Sequence, residues 1–185
     1  MVTQLLKRQF TTQDYHQMVV AGILSEDERV ELIQGEIVKM SPIGVRHASC
    51  VNRLLKLFLQ SLGDRAIVAV QNPVILNNLS EPQPDVALLK PRDDFYAAGH
   101  PQPQDILLLV EVADTTIESD RAIKIPLYAS SGITEVWLVD VNEQVIEVFR
   151  EPTANSYQNI QKSPQGKIFV QAFADVIFAV EQILG

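Results

Sequence analysis

Apolar positions recur along the chain at two rhythms. A spacing of three and four marks one face of a helix, and short alternating or continuous apolar runs mark strands. The longest helical rhythm covers residues 44–62. It puts Val45, Ala48, Val51, Leu55, Phe58, Leu59 and Leu62 in one stripe, and Gly63 ends it. A shorter helix opens at Thr11-Thr12-Gln13-Asp14, which has the form of a capping box, and runs to about Ala21. The β-rich halves Arg29–Ile33 and Glu36–Met40 flank Gln34-Gly35. Glycine there allows the positive φ of a tight turn, so a hairpin is expected.

Strands are then expected at residues 66–70 and 73–77. Pro82 and Pro84 fix an extended approach to another at Asp85–Leu89. Residues 91–104 are rich in proline and polar side chains and read as a loop. Ile106–Val112 is so uniformly apolar that both faces should be covered, as in a central strand. A helix over residues 119–131 follows, with Ser119 as its cap, and Pro126 should distort its second turn. Glu135–Val141 and Gln144–Arg150 read as strands joined by Asn142-Glu143, with Trp137 as packing or a dimer contact. A loop to Gly166, a strand near Ile168–Gln171 and an apolar end segment complete the chain. This order predicts an α/β (mixed α+β) fold, a central mixed sheet flanked by helices, in a single domain over residues 1–185.

Composition narrows the function classes. Apolar residues make up 46% of the chain, enough for a sizeable core. No apolar run reaches the roughly 18 residues of a membrane span. The opening MVTQLLKRQF lacks the pattern of a signal peptide, so a cytoplasmic location is expected. The single cysteine, Cys50, falls in a helical apolar pattern and reads as a buried, inert thiol. A net charge of −8 argues against a broad, sequence-independent grip on nucleic acid. It leaves room for a local basic groove, or for an acidic site neutralised by a cation. Phosphate-loop, dinucleotide, zinc-protease and serine-hydrolase motifs are absent. His16, His47 and His100 lie far apart in the sequence, so zinc chemistry has no motif to support it.

Carboxylates and lysine remain. Asp85 opens one apolar strand and Glu111 sits near the end of another. Burying an unpaired carboxylate costs several kcal/mol, so such groups protonate, pair or bind a metal. If the two strands are neighbours, both acids reach one edge of the sheet and offer hard oxygen donors suited to Mg2+ or Mn2+. Asp120, Lys124 and Tyr128 are spaced four apart on the next helix, which must fold back over the sheet. Lys124 can then point at the acids. Two acids and a lysine around a cation suit phosphodiester hydrolysis. Plainer readings stand beside this one: Asp85 as a turn residue, and Lys124 as the partner of Asp120 in a surface pair. His47 reads as a capping or surface histidine rather than a phosphate contact.

Pro84-Asp85 followed by Glu111-Val112-Ala113 resembles the PD-(D/E)XK nuclease signature, but alanine stands at position 113 where that pattern has lysine. The fuller string resembles the Uma-two family of restriction-endonuclease-like proteins. The matching stretches are Glu31 to Glu36, Pro84-Asp85-Val86, Val110-Glu111-Val112, Asp120 to Lys124, Tyr128, and Gly132 to Asp140. The resemblance implies a restriction-endonuclease-like fold and a divalent-metal site. It places the migrated lysine at Lys124 and adds Glu31 as a further acid at the site. A hairpin position facing solvent is the equal alternative for Glu31. The implied activity is metal-dependent cleavage of nucleic acid, with DNA the favoured substrate and a homodimer expected by analogy with two-fold recognition of palindromes. The alternative is an inactive nuclease fold kept for assembly or nucleic-acid binding, which Ala113 and the acidic charge support.

Overall fold

The computed structural model describes residues 7–25 and 27–185. Helix α1 (Thr12–Val20) starts from the expected capping box, with Thr11 Oγ1 accepting from the Asp14 amide at 3.0 Å. The hairpin pairs β1 (Val30–Ile33) with β2 (Glu36–Lys39) around Gln34 and Gly35, both at positive φ. At Gly35, φ is +79°, and an added Cβ would come within 2.6 Å of Gln9 Cβ and 3.1 Å of Gln9 Cα. Gly35→Ala is therefore expected to cost about 1–3 kcal/mol, read as a lower urea midpoint. An unchanged midpoint would mean that the turn relaxes freely.

Among the described residues, six strands form the main sheet in the order β3-β4-β5-β6-β7-β8: β3 (Ile67–Val70), β4 (Val86–Leu89), β5 (Ile106–Ala113), β6 (Glu135–Asp140), β7 (Val145–Pro152) and β8 (Tyr157–Ser163). All neighbours are antiparallel except β5 and β6. That parallel pair needs a crossover, and a helical segment supplies it. The segment runs through α3 (Ile117–Ser119), a π-helical stretch (Asp120–Lys124) and α4 (Ile125–Ser130). Pro126 has no amide to give the Ala122 carbonyl, and the Ile125 amide bonds back to Asp120 instead. The distortion expected from Pro126 is thus a widened turn.

One face of the sheet packs on α2 (Val45–Leu62) and α5 (Val180–Leu184), with Cys50, Leu54, Phe58 and Trp137 at its centre. The other face packs on α4, around Leu109, Tyr128 and Leu138. Cys50 is buried and free, as expected, and burial pushes its thiol up to about 11. Strands β9 (Lys167–Phe169) and β10 (Ile177–Ala179) form a small separate pair. No helix among the described residues is long and apolar enough to cross a membrane.

Four expectations change. Residues 73–77 form no strand and contribute only an isolated bridge from Asn77 to Ser80. The helical segment begins at Ile117, and Ser119 makes no N-cap bond; its hydroxyl donates to the Thr116 carbonyl at 2.7 Å. Residues 157–163, expected as loop, are edge strand β8. The buried face of α2 runs through Cys50, Val51, Leu54, Phe58 and Leu62, whereas Val45 is 88% exposed and Leu59 53%.

Candidate active site

Residues alternate across β5, so Leu109, Glu111 and Ala113 share one face, while Val110 and Val112 pack on the other. Glu111 consequently faces the crossover helix rather than α2. Val86 of β4 pairs with Val110, which places Asp85, one residue before the strand, opposite Glu111. Asp85 Oδ2 accepts from the Val112 amide at 2.8 Å. The two acids meet at one end of adjacent strands.

The helix delivers the other groups. Lys124 Nζ lies 3.3 Å from Glu111 Oε1 and 3.2 Å from Glu31 Oε2. The Tyr128 hydroxyl donates to Glu111 Oε1. Glu31 reaches in from β1 and accepts from the Gln83 amide at 3.1 Å, so the solvent-facing alternative for this residue does not hold. Asp120 is buried and accepts from Thr116 Oγ1 at 2.6 Å, so it forms no surface ion pair with Lys124. All four residues singled out from the sequence, Asp85, Glu111, Lys124 and Glu31, therefore line one open cleft of about 530 Å³.

His47 departs from the reading as a capping or surface residue. Its side chain is 13% exposed, and Nε2 lies 2.9 Å from Asp85 Oδ1. It stands three residues before Cys50 and four before Val51, on the buried face of α2. Its Nδ1 is buried and has no hydrogen-bond partner among the described residues. Gln71 Nε2 also donates to Asp85 Oδ1, at 3.2 Å. The sequence puts Tyr128 on the stripe of Lys124 but gives no sign of its bond to Glu111, and no local pattern marks Gln71.

Charge is unevenly balanced here. Burial pushes Asp85 up, but hydrogen bonds from His47, Val112 and Gln71 outweigh it and hold the carboxyl below its ordinary value. Glu111 goes the other way. Burial raises it well above its ordinary value, and the Asp85, Asp120 and Glu31 charges add to this against the pull of Lys124. Burial alone would lower Lys124, but the surrounding carboxylates, Glu111 first, raise it, so the ammonium stays charged. Asp120 is also raised, chiefly by burial.

Four carboxyls thus share one lysine and one histidine. This excess of buried acid, with oxygen donors opening onto a water-accessible cleft, fits a hard divalent cation. Lys124 sits between Glu31 and Glu111 and spaces their oxygens. The residues that would hold such a cation are accordingly Asp85 and Glu111.

Fold and site together define the class: a restriction-endonuclease-like α/β fold with acids gathered at the ends of its central strands. The chain belongs to the Uma2 family, described as "Putative restriction endonuclease", which matches residues 12–181. It is also similar in fold to a solved structure described as "a putative nuclease belonging to DUF820" from Anabaena variabilis. That match has a TM-score of 0.71 at 16% identity and covers 95% of this chain and 97% of that one. A comparison with curated proteins gives no match.

Proposed function

We propose that the protein is a metal-dependent nuclease that hydrolyses phosphodiester bonds, with DNA as its substrate. The observation that carries this reading is the meeting of Asp85, Glu111 and Glu31 with Lys124 in one cleft. Asp85 and Glu111 hold Mg2+ or Mn2+. When bound, the cation supplies an activated water and screens charge developing on the phosphate.

The chain's own groups do the rest. His47, Gln71 and the Val112 amide fix both oxygens of Asp85. Tyr128 donates to Glu111 from the buried side and orients its carboxylate toward the cleft. Lys124 stays cationic and donates toward the water or the phosphate oxygens, with Glu31 holding its ammonium in place. Arg29 and Lys39, on the cleft wall, supply local positive charge for the nucleic-acid backbone despite the acidic whole.

Support for activity also comes from the expense of the arrangement. A fold kept only for assembly has no use for several buried acids around one lysine, because replacing such groups by packed apolar residues is often stabilising. The test is calorimetric titration with Mg2+, alone and with a short duplex, on the wild type and on Asp85→Ala/Glu111→Ala. Binding that vanishes in the double variant, together with Mg2+-dependent duplex cleavage by the wild type, is the expected result. Cleavage unaffected by the double substitution would overturn the assignment. Absence of Mg2+ binding, with and without duplex, would favour the inactive module.

A further inference from the structure

We propose that His16, Glu81 and His100 form a second metal site, apart from the acidic cleft, that takes a divalent cation of the zinc class. Sequence spacing gave no hint of it, because the three residues come from separate segments: α1, the extended stretch before β4, and the proline-rich loop of residues 91–104. The fold brings them together. One ligand atom from each lies within 4.8 Å of those of the other two. His16 Nε2 is 2.7 Å from Glu81 Oε2, and the His16 and His100 rings stand 6.3 Å apart, centroid to centroid, at 60°.

Glu81 is the informative residue. Its side chain is only 3% exposed, yet among the described residues its carboxylate has a single hydrogen-bond partner, the half-exposed His16. A buried anion with so little compensation is costly, and a cation between the two imidazoles would satisfy it. Two imidazoles and one carboxylate form a known zinc donor set, with a fourth position open to water. The nitrogen donors favour zinc-class ions here over the magnesium that suits the oxygen-lined cleft.

Side-chain shifts of about 1–1.5 Å would complete the site, because donor atoms up to 4.8 Å apart must close while the short His16–Glu81 contact opens. Tetrahedral bonds of about 2.0–2.2 Å put donor atoms roughly 3.3–3.6 Å apart. The His16–Glu81 contact must therefore open by less than about 1 Å, and half-exposed His16 has room to do so. The scaffold is already pinned. Glu81 and Leu32 exchange backbone bonds of 2.8 and 3.3 Å, the Thr12 amide donates to the Asn78 carbonyl at 2.9 Å, and the Ile75 amide donates to the Pro101 carbonyl at 2.9 Å. Leu32 is the neighbour of Glu31, so an ion held by Glu81 also steadies the strand that brings Glu31 to the cleft.

The test is titration of the full chain with Zn2+ against a chromophoric chelator, with Co2+ absorption as a spectroscopic readout. Wild type and the cleft variant Asp85→Asn/Glu111→Gln should both bind Zn2+ and gain thermal stability from it. Exposed His100→Ala should weaken that affinity at least about 10–100-fold, since even outer-shell changes cost that much, and His16→Ala should do the same. Circular dichroism confirms that both histidine variants fold. Zinc binding that survives both histidine substitutions, that vanishes in the cleft variant, or that is absent from the wild type would overturn the proposal.

Discussion

Glu111→Gln should abolish most cleavage while leaving the folded protein intact. Glutamine keeps the size of the side chain and can still accept from Tyr128, so packing around Tyr128 and Leu109 is preserved. The charge that would hold the cation is lost. Removing a single group that stabilises charge at a reacting centre typically costs about 10²–10³ in rate, and a comparable or greater loss is expected in a duplex-cleavage assay with Mg2+. Stability should move the opposite way. Burial and neighbouring acids raise the Glu111 carboxyl well above its ordinary 4.5, although Lys124 opposes them. A group that holds its proton more tightly when folded contributes its full stability below its unfolded value, and loses that contribution as the pH rises through the folded one. In metal-free buffer, wild type should therefore lose stability relative to Glu111→Gln as the pH climbs above 4.5. Parallel stability curves for the two proteins would show that Glu111 carries no such strain. Undiminished cleavage by Glu111→Gln would remove it from the proposed site.

The acids were legible for a physical reason. Asp85 and Glu111 stand out because their neighbours, Val86 to Leu89 and Ile106 to Val110, are apolar enough to demand burial. Lys124 was legible because a parallel crossover must return its helix to the sheet. His47 was not, because the stripe drawn through Val45 and Leu59 was rotated from the true one. A stripe that runs from Cys50, itself expected to be buried, through Leu54 puts His47 on the buried face, beside Asp85. Strand β8 escaped for another reason. Its sequence, YQNIQKS, has no apolar alternation, since only its end residues Tyr157 and Ser163 are buried; pairing with β7 at the sheet edge creates it. The His16–Glu81–His100 cluster is a product of tertiary folding alone, with no local pattern to announce it.

Trp137→Ala should be the most destabilising single core change. The indole is fully buried between Phe58 and Phe178, with ring centroids 5.9 and 6.3 Å away, and its Nε1 donates to Glu135 at 3.0 Å. Truncating such a side chain costs about 3–5 kcal/mol through lost burial and the cavity left behind. That is a large share of the roughly 5–15 kcal/mol that holds a domain together. Glu135 limits the damage, because Arg150 and the Gln171 amide still bond its carboxylate. Trp137→Phe, which keeps a ring between Phe58 and Phe178, should cost less than half as much. The chain has a single tryptophan, so these variants are followed by circular dichroism in urea rather than by fluorescence. The effect should reach the cleft as well: Trp137 pairs with Val110, next to Glu111, and its neighbour Leu138 pairs with Glu111 itself. A cavity beneath β6 loosens the strand that aims the carboxylate. Cleavage by Trp137→Ala should thus fall even at temperatures where the variant remains folded. A cost below about 0.5 kcal/mol, the scale of an ordinary surface substitution, would mean that the two phenylalanines collapse to fill the space and that the aromatic cluster does not anchor this face of the sheet.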